Sequence, residues 1–162
     1  MLRAVVLFGL YLYHRVCWCR RVTFHGFAVI LPMKGSTIRV GAGTSLNSGT
    51  LSNLLGLPQR VIIVARDGGV VEIGDRVGIS GSTVYSIVRI RIGDDTIVGA
   101  GCKIIDNDFH PLESEARKRD DRGRIRRAPI DIGRDVFVGA GSIVLRGTVI
   151  GDRCVVGAGS VV

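Results

Sequence analysis

Residues 132 to 162 read IGRDVFVGAGSIVLRGTVIGDRCVVGAGSVV, and an aliphatic side chain recurs at every sixth position of this stretch. The positions are Ile132, Val138, Val144, Ile150, Val156 and Val162. A glycine follows four of the first five, and the residue two positions before each aliphatic is mostly small. Positions i−2 and i share one face of a β-strand, and glycine suits a corner. The pattern therefore predicts a solenoid of short strands and corners, whose coils stack through their aliphatic residues.

The same phase can be followed towards the N-terminus. It includes Ile92, Val98 and Ile104, then Ile73 and Ile79, and then Val40 and Leu46. The step from Ile79 to Ile92 is thirteen residues, which predicts one inserted residue near the sequence VYSIVR, and no phase can be read between Asn47 and Arg60. The composition agrees with many short, uniform strands and tight corners, because 46% of the residues are hydrophobic, 23 are glycine and only 6% are aromatic.

The repeat resembles that of the hexapeptide-repeat acyltransferases, whose hexads run aliphatic, small, two variable residues, small, variable. This resemblance implies an all-β, left-handed parallel β-helix in which three hexads form each coil of a triangular prism. The left hand is taken from the family, since ordinary parallel crossovers are right-handed. The resemblance covers residues 36–162, preceded by an N-terminal segment, 1–35, that we expect to be helical and apolar. Family members usually continue with a Thr-Lys or Thr-Arg step and a tail, so we expect the chain to be truncated at its C-terminus.

The segment IIDNDFHPLE, residues 104–113, interrupts the repeat by placing His110 where the phase predicts an inward aliphatic residue. The next aliphatic in phase is Ile132, which is 22 residues further and not a multiple of six. Residues 111–129 are therefore expected to form a loop that projects from one corner. The loop contains seven basic and four acidic residues. We expect it to wall an active site and to attract an anionic ligand; the alternative is a solvated excursion without a role.

The sequence DNDFHP followed by such a loop is similar to the His-Pro element of the sugar O-acetyltransferase branch of this family. The resemblance implies that His110 is the general base, which takes a proton from a sugar hydroxyl as that oxygen attacks the thioester of acetyl-CoA. Histidine is the side chain that most often acts as a general base near neutral pH. The alternative is a structural histidine at the root of the loop. The resemblance also implies acceptor-binding residues, which we expect to be Asp106, Asn107, Asp108, Phe137, and Ser80 and Ser82 at a position where relatives have an asparagine.

The same resemblance places the cofactor. In the family the pantetheine arm of acetyl-CoA runs in a groove between neighbouring subunits, which implies a homotrimer. The matching residues here are Gly139 and Ala140, and, 18 residues further along the chain, Gly157 and Ala158. Small residues suit a groove in which backbone approaches a ligand, although they would equally suit repeat corners.

Other classes of function have less support in the sequence. A zinc site of the γ-class carbonic anhydrase kind needs three histidines, whereas His110 is the only histidine in the repeat region, so no metal is expected. The net charge of +8 could attract nucleic acid, but the sequence has no aromatic platform or reader motif, so no nucleic-acid partner is expected. The apolar run Ala4–Tyr13 is too short to span a bilayer, which needs about 20 residues. It could pack on the domain end or lie on an anionic membrane as a peripheral contact.

The four cysteines are expected to be reduced. Cys17 and Cys19 lack the second pair that a zinc site requires, and Cys102 and Cys154 fall in phase with small inward-facing residues. The leading hypothesis is a cytoplasmic, homotrimeric, acetyl-CoA-dependent O-acetyltransferase that acts on a sugar or a polysaccharide precursor. Two alternatives are N-acetylation of an amino sugar nucleotide and a non-catalytic β-helix used as an assembly module.

Overall fold

The computed structural model describes residues 16–18, 21–49 and 52–162. Within them, short strands pass in rotation through three sheets, so that every third strand belongs to the same sheet. The strands are β1 Val16–Trp18, β2 Thr23–His25, β3 Val29–Pro32, β4 Thr37–Val40, β5 Ser45–Asn47, β6 Ile62–Ala65, β7 Val70–Ile73, β8 Gly78–Ser80, β9 Thr83–Ser86, β10 Arg89–Ile92, β11 Ile97–Val98, β12 Lys103–Ile105, β13 Ile130–Ile132, β14 Phe137–Val138, β15 Ile143–Leu145, β16 Val149–Ile150 and β17 Val155–Val156.

Each sheet forms one wall of a triangular prism. Wall 1 contains β1, β4, β7, β10, β13 and β16; wall 2 contains β2, β5, β8, β11, β14 and β17; wall 3 contains β3, β6, β9, β12 and β15. Neighbouring strands in each wall are parallel. The architecture is a left-handed parallel β-helix, which confirms the fold class predicted from the six-residue repeat.

The repeat aligns like residues in columns through the core. In wall 2, the register places Leu46, Ile79, Val98 and Val138 one above another, and all four are fully buried. Burial of each aliphatic side chain contributes about 1.5–3 kcal/mol relative to an exposed one. The stacked aliphatic side chains therefore stabilise the packing of one coil on the next, as the six-residue repeat predicts.

The glycines that follow the aliphatic residues are required by coil stacking. A Cβ at Gly93 would lie 2.5 Å from the carbonyl oxygen of Gly133 in the next coil, and a Cβ at Gly41 would lie 2.3 Å from that of Gly74. Left-handed backbone is found instead two residues later in each corner, at Asp95 (φ 59°) and Gly43 (φ 72°). These glycines therefore permit close approach between coils, and the tight turn itself is made further along the corner.

The β-helix begins earlier than the sequence predicts. Strands β1, β2 and β3 lie within the segment 1–35, and each pairs with the strand of the following coil. The short strands of this segment lack the glycine-marked six-residue phase, which is why the repeat could not be traced into it. The predicted N-terminal helix over Ala4–Tyr13 lies outside the described residues.

Irregular stretches change the length of several coils. From Ile79 to Val84 the chain is one residue shorter than the regular six, and from Val84 to Ile92 it is two residues longer, so the predicted single insertion is the net result of both changes. The longer stretch forms the corner at Ile87 and Val88. The connection between β5, which ends at Asn47, and β6, which begins at Ile62, is also longer than a regular corner.

The two cysteines in the repeat differ in their surroundings. Cys102 is fully buried, as predicted, and burial raises the pKa of its thiol. Cys154 was also expected to face inward, but it is exposed. It lies in the coil of β16 and β17, which in the described part of the chain has a neighbouring coil on one side only. No helix among the described residues is long and apolar enough to cross a membrane.

Candidate active site

His110 lies at the root of the loop, where the chain leaves the prism between wall 3 and wall 1. Strand β12 ends at Ile105, and β13 resumes the prism at Ile130. The two ends of the loop are joined by hydrogen bonds: the Asp108 amide donates to the Arg126 carbonyl at 3.0 Å, and the Ala128 amide donates to the Asp106 carbonyl at 3.1 Å. The segment that contains His110 is therefore held rigidly against the β-helix.

The backbone just before His110 is strained. Phe109 has a φ of 59°, which is unfavourable for a bulky side chain. The Asn107 Oδ1 accepts the Phe109 amide at 2.9 Å, and the Asp108 carbonyl accepts the His110 amide at 2.6 Å. This tight turn leaves His110 exposed and places the Phe109 ring against Tyr85, with the ring centroids 4.8 Å apart. Strain of this kind is common at functional sites.

A pocket of about 320 Å³ opens beside the turn and includes His110 in its wall. The tilted aromatic pair Tyr85–Phe109 forms part of the same wall. The remaining lining residues are Arg66, Asp67, Ile87, Asn107, Asp120, Arg122, Ile125 and Arg127, so the loop covers one side, as predicted. A ring-shaped ligand could therefore contact an aromatic face while a hydroxyl reaches an imidazole.

Arginine side chains give the pocket a partly cationic wall. Arg66 donates through Nε to Asp67 at 3.0 Å and through Nη1 to the Tyr85 hydroxyl at 3.4 Å. The hydrogen bond to Tyr85 is the main cause of the raised pKa of Arg66, so this guanidinium is charged. Arg66 thereby links wall 3 to the aromatic pair and fixes the Tyr85 ring at the edge of the pocket.

Three of the predicted acceptor-binding residues have structural contacts instead. The fully buried Asp106 carboxylate accepts hydrogen bonds from the Ser86 hydroxyl at 2.7 Å and from the amides of Ile87 at 2.9 Å and Val88 at 2.8 Å. The Ser82 hydroxyl donates to carbonyls and accepts the Cys102 amide at 2.8 Å. The Ser80 hydroxyl, also buried, accepts from Asn47 at 3.2 Å. None of these three lines the pocket around His110.

Asn107 and Asp108 differ in which of their side-chain atoms remain free to form a further hydrogen bond. Asn107 lines the pocket, but its amide is engaged with Asp106 and with the Phe109 backbone. Asp108 accepts Arg146 Nε through Oδ1 at 2.7 Å, whereas its buried Oδ2 has no hydrogen-bond partner among the described residues. A buried carboxylate oxygen without a donor is unusual. Asp108 Oδ2 is thus the atom in this segment with unused acceptor capacity.

The other predicted residues lie on different parts of the prism. Phe137 projects from wall 2, where it is 46% exposed. The pairs Gly139–Ala140 and Gly157–Ala158 lie on the corner between walls 2 and 3, whereas His110 lies on the corner between walls 3 and 1. One chain therefore does not bring Phe137 or the predicted cofactor residues to His110.

The two predicted cofactor glycines also differ from each other. A Cβ at Gly139 would lie 2.5 Å from the Ala158 nitrogen, so stacking of the next coil already demands glycine there. A Cβ at Gly157 would meet only the Ser160 hydroxyl, at 3.7 Å. Coil stacking therefore accounts for glycine at Gly139, whereas no described coil lies against Gly157.

The residues that the sequence analysis missed are those brought in by tertiary structure: Arg66, Tyr85, Phe109 and Arg127. Phe109 could have been suspected, because it directly precedes His110. Tyr85 and Arg66 come from earlier coils, and their side chains reach the pocket only because the coils stack in register. Arg127 was one of many basic loop residues, and no feature of the sequence distinguished it from its neighbours.

Comparisons with known proteins agree with this architecture. Residues 129–162 match a family model described as the hexapeptide repeat of succinyl-transferase. The chain is similar to a probable acetyltransferase of Mycobacterium tuberculosis, with 36% identity over 95 residues, which cover 58% of this chain and 31% of that protein. It is also similar to the galactoside O-acetyltransferase of Escherichia coli, with 32% identity over 80 residues, which cover 49% of this chain and 37% of that enzyme.

A galactoside O-acetyltransferase of Lactococcus lactis is 35% identical over 89 residues, which cover 51% of this chain and 42% of that enzyme. The chain thus spans less than half the length of these relatives. Among solved structures, the N-acyltransferase AntD of Bacillus cereus superposes with a TM-score of 0.60 at 19% identity, covering 87% of this chain and 72% of AntD, which supports the fold alone. The comparisons confirm the resemblance to the hexapeptide-repeat acyltransferases and to their sugar O-acetyltransferase branch.

Proposed function

We propose that this hexapeptide-repeat β-helix is an acetyl-CoA-dependent O-acetyltransferase that acts on a saccharide hydroxyl, with His110 as the general base. The observation that carries the proposal is the position of His110. It is exposed in the wall of a pocket, beside an aromatic pair, and its backbone is fixed by a strained turn. The relatives that are named galactoside O-acetyltransferases support a sugar as the acceptor.

The chemistry requires one proton acceptor close to the reacting hydroxyl. The neutral imidazole of His110 would accept the hydroxyl proton as the oxygen attacks the acetyl carbonyl carbon. The bond between that carbon and sulfur then breaks, and the imidazolium returns the proton to the departing thiolate. General bases of this kind contribute about 10²–10⁴-fold to the rate. Asp108 Oδ2 is buried, lies two residues from His110 and has unused acceptor capacity, so its proposed role is to orient the imidazole.

The separation of the predicted residues supports an assembly of several chains. Phe137 and the cofactor residues Gly139, Ala140, Gly157 and Ala158 lie away from the corner that carries His110. A homotrimer would place wall 2 of one subunit beside the His110 corner of the next, and acetyl-CoA would then lie in the groove between them. Acetyl-CoA is a cytoplasmic metabolite, which makes the cytoplasm the proposed location.

A matched set of variants tests the role of His110. We expect His110→Ala and His110→Gln to lower acetyl transfer by about 10²-fold or more, because both remove the proton acceptor. Thermal melting should change little, since the imidazole is exposed. Turnover should be followed by thiol release from acetyl-CoA, with a panel of neutral sugars and amino sugars as acceptors. Near wild-type turnover in both variants would contradict the assignment.

The same panel separates the remaining alternatives. The product should be analysed by mass spectrometry before and after treatment with mild base. An ester on a hydroxyl loses its acetyl group under this treatment, whereas an amide on an amino group retains it. Preferential amide formation would favour the N-acetyltransferase. Absence of turnover with every acceptor, together with absence of acetyl-CoA binding, would favour a non-catalytic assembly module.

A further inference from the structure

The loop over residues 111–129 neutralises most of its own basic side chains. Each of its four acidic residues pairs with one basic residue of the same loop. The pairs are Lys118–Glu115 at 2.8 Å, Arg122–Asp120 at 3.1 Å, Arg124–Asp121 at 3.8 Å and Arg126–Glu113 at 3.7 Å. The Arg117 guanidinium instead donates to the carbonyls of Pro111 and Leu112, at 3.0 and 2.8 Å. Among the described residues, the side chains of the two remaining loop arginines, Arg119 and Arg127, have neither a carboxylate nor a carbonyl partner.

These two arginines differ in position. Arg127 lines the pocket that contains His110, whereas Arg119 does not. The Arg127 backbone forms an antiparallel bridge with Asn107, within the same turn that fixes His110. Its guanidinium therefore projects from a rigid base close to the candidate general base. A positioned guanidinium without a counter-ion is suited to bind a phosphate or a carboxylate through two parallel hydrogen bonds.

The balance of charges in the pocket wall also favours an anionic ligand. Its lining includes Arg66, Arg122 and Arg127 against Asp67 and Asp120, and these five side chains carry three positive and two negative formal charges, a sum of +1. Arg66 and Arg122 each share their charge with an aspartate, at 3.0 and 3.1 Å. The excess positive charge therefore belongs to Arg127, which makes one anionic group on the ligand the matching complement.

We infer that the acceptor is an anionic saccharide, whose phosphate or carboxylate binds Arg127 while a hydroxyl of its ring reaches His110. The aromatic pair Tyr85–Phe109 supplies a face for the ring between these two points. This inference rests on the proposed function, since it defines the acceptor of the same site. It goes beyond that function because a neutral galactoside would leave the Arg127 guanidinium without a partner.

Binding of three ring-matched probes tests the inference without relying on turnover. Galactose, galactose 1-phosphate and galacturonic acid should be titrated by calorimetry against the full chain and against Arg127→Gln and Arg119→Gln. We expect at least one anionic probe to bind about 10-fold or more tightly than galactose, as one charge-assisted contact allows. Arg127→Gln should abolish that preference. Arg119→Gln is the matched control, because it removes the same charge from the same loop outside the pocket, and it should retain the preference.

The outcomes separate the possible sources of the anion. A gain with galactose 1-phosphate alone supports a glycosyl phosphate or nucleotide sugar, and a gain with galacturonic acid alone supports a uronic acid. Equal affinity for all three probes would overturn the inference, as would an equal loss of preference in the two variants. Turnover that survives in His110→Ala would instead refute the proposed general base. The binding experiment does not depend on turnover, so its result would still test the role of Arg127.

Discussion

Single residues near His110 divide into those that join coils and those that belong to the turn carrying the histidine. Asp106 and Asp108 are two positions apart, yet the first uses its carboxylate to hold the corner at Ile87 and Val88, and the second keeps a buried oxygen without a donor. The sequence DND offers no means of separating them, because both are acidic and both are near His110. Only the identity of the donors around each carboxylate shows which one is structural.

This difference predicts opposite effects for two alanine substitutions. Asp106→Ala should lower the free energy of unfolding by about 2–4 kcal/mol, because the Ile87 and Val88 amides lose their acceptor. Asp108→Ala should cost only about 1 kcal/mol, since it removes one partly exposed ion pair with Arg146. The activity of the folded protein should fall more for Asp108→Ala, by about 10-fold, because its free oxygen is proposed to orient the His110 imidazole. Denaturant titration and kcat/KM measure the two effects, and equal stabilities of the variants would argue against this division.

Glycine substitutions provide a second test at this scale. Gly139→Ala should destabilise the protein by about 1–3 kcal/mol, because its Cβ would press on the backbone of the next coil. Gly157→Ala is the matched control one coil later, where the space is open, and it should change stability by less than about 0.5 kcal/mol. If Gly157 lies in the acetyl-CoA groove, the same control should weaken acetyl-CoA binding. Melting temperature and calorimetry distinguish these outcomes.

The elements are held together at their corners by carboxylates as well as by the strand ladders. Asp75 accepts the Ala42 amide at 2.7 Å, Asp94 accepts the Asp75 amide at 2.9 Å, and Asp152 accepts the Arg134 amide at 2.8 Å. Each bond joins a corner to the equivalent corner of an adjacent coil. Since strands of two to four residues form few ladder bonds, these corner bonds contribute to the pairing between coils.

Corner carboxylates predict a dependence of stability on pH. The Arg134 amide, followed by its guanidinium, lowers the pKa of Asp152 below its usual value. A lowered folded-state pKa means that the stabilisation is present above the unfolded pKa of about 3.9 and is lost as the pH falls through the folded value. Asp152→Asn should therefore melt lower than wild type at pH 7, and the difference should shrink as the pH falls below about 4.

A neighbouring corner residue provides the control for this experiment. Asp135→Asn changes an aspartate whose carboxylate has no hydrogen bond to another described residue, so its melting temperature should follow wild type at both pH values. Circular dichroism melts at pH 7 and pH 3 are sufficient. A constant difference between Asp152→Asn and wild type at the two pH values would contradict the proposed contribution.

The whole molecule exposes an apolar strip on one wall. In wall 2 the register aligns Ile97, Phe137 and Val155, whose side chains are 54%, 46% and 72% exposed. Contiguous apolar surface of this kind commonly marks an interface. In a homotrimer the strip would be covered by a neighbouring subunit, and the pocket that contains His110 would be completed by residues of another chain.

This arrangement predicts that assembly and activity are lost together. Phe137→Glu should dissociate the trimer and lower kcat/KM by about 10-fold or more, because a charge would be buried in the interface. Val149→Glu is the matched control, since Val149 is 76% exposed but lies on wall 1, and it should leave both properties unchanged. Analytical ultracentrifugation combined with the acetyl transfer assay tests both. A fully active wild-type monomer would exclude the shared site.

The sequence by itself determined the solenoid, its aliphatic core and the position of the break at His110, while the three-walled prism followed from the resemblance to the family. It could do so because a repeat places chemically alike residues at a constant spacing, and their burial is dictated by that spacing alone. It did not determine where the β-helix begins, since β1 to β3 lack the glycine-marked phase. Only the tertiary structure decided the composition of the pocket. Arg66, Tyr85, Phe109 and Arg127 meet there because stacked coils and a folded loop bring distant segments together, and contacts across coils leave no periodic signal in the sequence.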